Sequence, residues 1–306
     1  MTEHTQITIS GRTLNLSNLD KVLYPKAHFT KGQVVDYYAR IGPVVLPHLK
    51  DRPLTLKRYP NGVEQEFFYE KRCPTFRPSW VRTAPVWSSR QKGRIHFCLA
   101  NDLATLIWAA NLADLELHTF LAHYKKPNEP TAMVFDLDPG PGADILDCGQ
   151  VGLWLRRFFD ELKLECFAKT SGSKGLQVYV PLNTRTTFEE TKEFSHAVAR
   201  EFAREYPDKV VSQMSKSLRR GKVFIDWSQN DDHKTTVSVY SLRAKAHPSV
   251  STPVKWSEVE KAIKAHAASQ LSFEAATVLK RVEKLGDLFQ PVLTLKQKLP
   301  AFSVRE

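Results

Sequence analysis

Cysteine is scarce in this chain, and the four present, Cys73, Cys98, Cys148 and Cys166, are scattered. No C-x-x-C occurs, which argues against a zinc site and for reduced thiols in a cytosolic protein. No apolar run is long enough to span a membrane, and the start, MTEHTQ, has neither the basic residues nor the apolar core of a signal peptide. The expected location is cytoplasmic, with no membrane partner. No internal repeat or low-complexity tract is apparent, which excludes solenoids. The G-x-x-x-x-G-K-[ST] phosphate loop is absent too. Acidic residues are outnumbered, 33 against 44 basic, for a net charge of +11. Such an excess often faces a polyanion, nucleic acid foremost, although a merely solubilising surface is the bland alternative. What the chain does have is a globular composition and enough length for one large domain or two small ones.

The stretch from Thr131 to Asp138, TAMVFDLD, organises the rest. Met133, Val134, Phe135 and Leu137 favour a strand, and Pro139 to Gly142 stops it. Side chains alternate along a strand, so Asp136 and Asp138 share a face with Cα atoms roughly 6.5–7 Å apart. Two such carboxylates can hold a pair of cations, as phosphoryl-transfer enzymes do. Alone, the pattern fits a strand end with two solvated acids better.

Before this stretch, Ile7 to Leu16 reads as a hairpin around Ser10-Gly11. Thr30 caps a helix from Lys31 to about Ile41 with Val34, Val35, Tyr38 and Ile41 as its stripe. Lys21 and Lys31 flank the Tyr24-Pro25 loop. Lys57 and Arg58 precede a Pro-Asn-Gly turn, and Phe67, Phe68 and Tyr69 follow it. Rings amid cations suit a nucleic-acid end, and they suit a hairpin with core aromatics as well. Arg94 to Leu99 reads as a strand, Asp102 caps a helix to about Ala110, and a strand from Leu115 leads to His118. The polar loop Tyr124 to Pro130 marks the boundary between an N-terminal module (1–130) and a second part (131–306), which together are expected to pack as one unit.

After it, the strand 132–138 is followed by a helix from about Asp147 to Lys163, strands Leu164–Thr170 and Leu176–Val180, a helix Phe188–Tyr206, and strands at Val210-Val211 and Lys222–Trp227. The order β-α-β-β-α-β predicts an α+β fold of the ferredoxin or RNA-recognition type, an antiparallel sheet with helices on one face, with the N-terminal α/β module packed on it. Two tail helices, about Ser257–Ala267 and Ser272–Leu285, end at Gly286. Two further motifs accompany Asp136-x-Asp138 here. The turn SGSKG, Ser171 to Gly175, can turn amides and hydroxyls toward an anion, with Lys174 adding charge. KVFIDWSQN ends a strand at Asp226, a third carboxylate, with Lys216, Arg219, Arg220 and Lys222 just upstream.

These residues resemble the polymerase domain of bacterial ligase D, of the archaeo-eukaryotic primase superfamily. The resemblance runs from about Asn18 to about Phe289 through NLDKVLYP, RPLTLKRYPNGV, FFYEK, VFDLDPG, SGSKGLQVY, KSLRRGKVFIDWSQN, KTT and YSLR. It implies that Asp136, Asp138 and Asp226 bind metal and that His118 belongs to the active site. It further implies that Ser171, Ser173, Lys174, Gln177, Gln229 and Arg243 contact the incoming nucleotide. Lys21 and Lys31 resemble a pair that grips a downstream 5′-phosphate, and Phe68 and Tyr69 the rings that stack on the template, with Lys57, Arg58, Arg219 and Arg220 as further DNA contacts. Where the family generally has histidine after S-G-S-K-G-L, this chain has Gln177, an amide without positive charge at any pH.

The resemblance implies template-directed nucleotidyl transfer with two Mn²⁺ or Mg²⁺ ions, NTP or dNTP substrates and a ribonucleotide preference. Its substrates would be DNA with gaps, overhangs or breaks, its further partners Ku and a DNA ligase, and its place the nucleoid. A stand-alone primase, an excision-repair gap filler and a non-catalytic end-binding module are the alternatives.

Overall fold

The computed structural model describes residues 4–88 and 91–300. In chain order its elements are β1 (His4–Ile9), β2 (Arg12–Ser17), β3 (Val22–Tyr24), β4 (Phe29–Thr30), α1 (Lys31–Leu49), β5 (Leu54–Arg58), β6 (Phe68–Glu70), β7 (Thr83–Ser88), β8 (Gly93–Cys98), α2 (Leu103–Asn111), β9 (Asp114–Thr119), β10 (Ala132–Pro139), α3 (Ile145–Glu161), β11 (Phe167–Thr170), β12 (Leu176–Pro181), α4 (Phe188–Glu205), β13 (Val210–Val211), β14 (Val223–Asp226), β15 (Thr236–Val237), β16 (Pro253–Val254), α5 (Trp256–Lys264), α6 (Ala275–Leu285) and α7 (Pro291–Thr294).

Helix starts follow their caps. Thr30 accepts from the Gln33 amide while Gln33 reaches back, a complete capping box. The helix then outruns the expected end at Ile41. Pro43 and Pro47 each remove a backbone donor, but Val45 and Leu49 continue the apolar stripe and are wholly buried, which carries α1 to Leu49. Likewise α3 begins before Asp147, because Asp144 caps it and Asp147 returns the bond. Among the described residues no helix is long and apolar enough to cross a membrane.

The chain divides into two units. The first comprises residues 1–125, 235–251 and 274–286. Its main sheet runs β15-β9-β5-β8-β7, with β6 on β5. Tyr38 Oη donates to the Leu115 carbonyl at 2.7 Å and Tyr37 Oη to the Tyr240 carbonyl at 2.8 Å. These bonds tie α1 to the sheet and to the late segment. The expected reduced state of the cysteines is not what the structure holds at one pair: Cys73 and Cys98 form a disulfide, Cα to Cα 4.9 Å. The Cys73 amide donates to the His96 carbonyl at 2.7 Å, which lays the loop after β6 against β8 and brings the thiols together. Cys148 and Cys166 are free and buried.

The second unit comprises residues 126–234, 252–273 and 287 onward. Its sheet runs β13-β14-β10-β12-β11-β16, antiparallel except between β13 and β14. The central four strands have the ferredoxin order expected from β-α-β-β-α-β. One face of the sheet carries Met133, Phe135 and Leu137, which pack with Val151, Leu155 and Phe159 of α3 and with Phe194, Val198 and Phe202 of α4. Asp136 and Asp138 therefore lie on the face without these helices. Where β14 leaves the ladder, Asn230 continues it: its carbonyl accepts from Val134 N at 2.8 Å and its amide donates to Val134 O at 2.7 Å.

Candidate active site

Strand register builds the carboxylate site. Asp136 stands opposite Asp226 on one side and opposite Gln177 on the other, and Gln177 stands opposite Lys169. The result is a row, Asp226-Asp136-Gln177-Lys169, across β14, β10, β12 and β11, with Asp138 two residues further along β10. Burial, then Asp138 and Asp226, push the Asp136 carboxyl up to about 7, while the Gln177 hydrogen bond and Lys169 pull the other way. Asp226 is held by its own turn, accepting from Ser228 N at 3.0 Å, Ser228 Oγ at 2.6 Å and Gln229 Nε2 at 3.0 Å. Asp138 is exposed. Crowded carboxylates on one face form an all-oxygen donor set, which fits Mg²⁺ or Mn²⁺.

The loops beside this row are tightly fitted. Gly175 allows β12 to begin against β10, since a Cβ there would sit 2.2 Å from the Leu137 carbonyl oxygen. At Gly140 a Cβ would sit 1.7 Å from the Arg219 carbonyl oxygen, so the Pro-Gly-Pro-Gly loop and the 219–222 loop close on each other. Their bonds are Gly140 N to Lys222 O and Gly221 N to Pro141 O, both 2.8 Å. In the SGSKG turn the amides of Ser173 and Gly175 donate to Ser171 Oγ, at 3.2 and 3.1 Å. Those amides thus build the turn, while Ser173 and Lys174 are exposed. Arg219 is folded in, its guanidinium 3.7 Å from the Phe224 ring centroid and donating to the Met214 carbonyl at 2.8 Å, whereas Arg220 is exposed.

His118 and Arg243 belong to the first unit, where they gather on a residue not foreseen from the sequence. Glu116, two residues before His118 on β9 and so on the same face, accepts from His118 Nε2 at 3.0 Å and Ala244 N at 3.1 Å. It also pairs with Lys57 Nζ and Arg243 Nε, each at 3.3 Å. Burial opposes its charge, but the His118 hydrogen bond and the charges of Arg243 and Lys57 outweigh it and hold the carboxyl well below the usual range. Burial, helped by Arg243 and Lys57 and opposed by Glu116, lowers the pKa of His118 and favours neutral imidazole. A carboxylate accepts only, so Nε2 carries the proton and Nδ1 the lone pair. Removing Glu116 leaves three basic groups beside one another. Glu116→Ala is expected to cost about 3–5 kcal/mol of folding stability, checked by urea unfolding.

Lys57 Nζ also lies 4.5 Å from the Phe67 ring centroid and 5.5 Å from that of Tyr69. Arg58 is committed to Glu70 at 2.7 Å and to the Leu112 carbonyl at 2.9 Å, with its guanidinium 5.0 Å from the Phe68 ring. Phe68 and Tyr69 are 43% and 56% exposed, large for aromatic side chains. Lys21 and Lys31 are brought together as the β3–β4 hairpin closes, with Lys31 N donating to Lys21 O at 2.8 Å. Lys21 Nζ donates to Asn61 at 2.8 Å, a second residue not foreseen. Lys31 is nearly buried and donates to Ser17 O at 2.6 Å and Ser17 Oγ at 3.3 Å. Burial, then Lys21 and Arg58, lower its pKa to about 8. Among the described residues the group whose ligating atoms all lie within 4.8 Å of one another is a different one, Asp231, Asp232 and His233, and there Lys192 and His233 already pair with Asp231.

Comparison with known proteins gives a consistent result. The family model described as LigD, primase-polymerase domain, matches residues 30–289. The chain is 38% identical over 281 residues to the multifunctional non-homologous end joining protein LigD of Mycolicibacterium smegmatis, covering 91% of this chain and 36% of that protein. It is 30% identical over 274 residues to the bifunctional non-homologous end joining protein LigD of Bacillus subtilis, covering 89% of this chain and 43% of that one. The chain thus spans under half the length of these relatives. Among solved structures, the polymerase domain of Mycobacterium tuberculosis ligase D in complex with DNA matches with a TM-score of 0.85 at 35% identity, covering 93% of this chain and 99% of that one.

Proposed function

We propose, from the premise that this chain belongs to the LigD primase-polymerase family of polymerase-type nucleotidyltransferases, that it extends DNA ends and fills gaps by template-directed nucleotide addition. The observation that carries this reading is the register that sets Asp136 opposite Asp226, with Asp138 beside them, on the sheet face away from α3 and α4. Two Mn²⁺ or Mg²⁺ ions, held by these three aspartates, would supply Lewis acidity for the primer hydroxyl and the triphosphate.

The chain's own residues do the rest. Lys174, the Ser171 and Ser173 hydroxyls, Gln229 and Arg243 would bind the nucleotide, chiefly its phosphates. His118, neutral with its lone pair on Nδ1, would take a hydrogen bond or proton from the substrate. Phe68 and Tyr69 would stack on the template, Lys57, Arg58, Arg219 and Arg220 would contact DNA, and Lys21 with Lys31 would hold a downstream 5′-phosphate. We place the protein in the nucleoid, in end joining with Ku and a DNA ligase.

The deciding experiment incubates the protein with a gapped duplex, NTPs and Mn²⁺. Extension that is stronger with a downstream 5′-phosphate is expected. No extension points to a non-catalytic end-binding module, and extension indifferent to the phosphate points to a primase. The family resemblance also supports a sugar preference. Single-nucleotide insertion should therefore be faster with NTP than with the matching dNTP, and equal or reversed rates refute that preference.

A further inference from the structure

Lys169 is fully buried on β11, a position that no local motif marks. Its Nζ donates to Gln177 Oε1 at 2.5 Å and lies 5.5 Å from the Tyr179 ring centroid. An ammonium can only donate, so the Gln177 amide must present its oxygen to Lys169. That turns the amide NH₂ the other way along the row, where Asp136 stands opposite Gln177 on β10 and takes its hydrogen bond. Gln177 itself is 2% exposed. Both ends of the carboxylate pair are thereby oriented, Asp226 by Ser228 and Gln229 and Asp136 by Gln177.

We propose that Lys169 is a positioning residue of the carboxylate site, acting through Gln177 to hold Asp136 in the orientation that receives a divalent cation. In this arrangement Gln177 serves the metal site along the sheet rather than the triphosphate. The inference rests on Asp136 as a cation ligand, and the test separates the two.

Mn²⁺ binding is followed directly by loss of the free-ion electron paramagnetic resonance signal, without nucleotide. Half-saturating Mn²⁺ and the KM for NTP are measured in parallel. Lys169→Met preserves length and removes the donor, and it relieves a buried charge, so it should fold. Lys169→Met and Gln177→Leu are each expected to weaken Mn²⁺ binding about 10- to 100-fold, the usual effect of losing a group that orients a ligand. The double variant should be no weaker than the worse single one, because both residues belong to one device. The KM for NTP at saturating Mn²⁺ should stay near that of wild type. Unchanged Mn²⁺ binding in Lys169→Met overturns the proposal. So does a Gln177→Leu variant that loses nucleotide affinity while binding Mn²⁺ normally, since Gln177 would then serve the nucleotide. Asp136→Ala is the reference: it should lose Mn²⁺ binding, and if it does not, the carboxylate reading fails and the Lys169 proposal with it.

Discussion

Asp136→Ala and Asp226→Ala are expected to abolish primer extension while leaving DNA affinity close to that of wild type. On the proposed reading each would remove an anionic ligand from a site whose cations would contribute several kcal/mol to the transition state, so a loss of about a thousandfold or more in kcat/KM is expected. The basic and aromatic surface of the first unit, with Lys21, Lys57, Phe68 and Tyr69, is untouched by either change, so binding of gapped DNA persists. Asp136→Asn sharpens the test, because it keeps the shape and the place in the row and removes only the charge. Extension falls as in the alanine variant, yet in EDTA Asp136→Asn should melt higher than wild type, because a crowded carboxylate no longer faces Asp138 and Asp226. Retained extension by either alanine variant would place the chemistry elsewhere.

The second large effect concerns the choice of DNA. A phosphate beside Lys21 and Lys31 would meet two ammonium groups near the N-terminus of α1, but not the helix amides expected to join them, because Lys31 N, Gly32 N and Gln33 N already donate to Lys21 O, Leu19 O and Thr30 Oγ1. Contacts of this charged kind contribute about 1.5–3 kcal/mol each, so a downstream 5′-phosphate should tighten binding by about one decade or more. Lys31 spends two of its three protons on Ser17 and keeps one to give. The gain shrinks with salt, as for any exposed ionic contact. It also depends on pH in a set direction. With its pKa lowered to about 8 by burial, Lys21 and Arg58, Lys31 is cationic below that value and neutral above it. The proposed phosphate preference should therefore be fully present near pH 7 and decline as pH rises through 8 toward 9. Lys21→Ala with Lys31→Ala erases the preference and leaves weak general affinity. Titrations of gapped DNA with and without the phosphate, at matched salt, decide it. A double variant that keeps the full preference would rule this pocket out.

What could be read in the sequence, and what could not, divides along the range of the interactions. Local signals were enough for the hairpin at Ser10-Gly11, the Thr30 cap, the stop after Asp138 and the β-α-β-β-α-β order, because propensity, capping and turn chemistry act within a few residues. The end of α1 needed its tertiary burial, which overrode two prolines. Register is set between strands far apart in the chain, so nothing local announces that Gln177 lies between Lys169 and Asp136. Glu116 was the more accessible omission: E-L-H on a strand puts it on the face of His118, and alternation alone could have marked it. The Cys73–Cys98 bridge depends on a loop laid against β8, which spacing does not reveal.

The two units interleave along the chain, and this bears on how the protein is made. The first unit needs β15, which pairs with β9 through Thr236–Thr119 and Val237–His118, and α6, which ends at Leu285. During synthesis the edge of β9 beside His118 must therefore wait, unpaired, until more than a hundred further residues have left the ribosome. An exposed strand edge of that kind invites pairing with other chains. A cut at the polar loop near residue 125 would make the waiting permanent, so the two units are not interchangeable parts that can be produced separately and mixed.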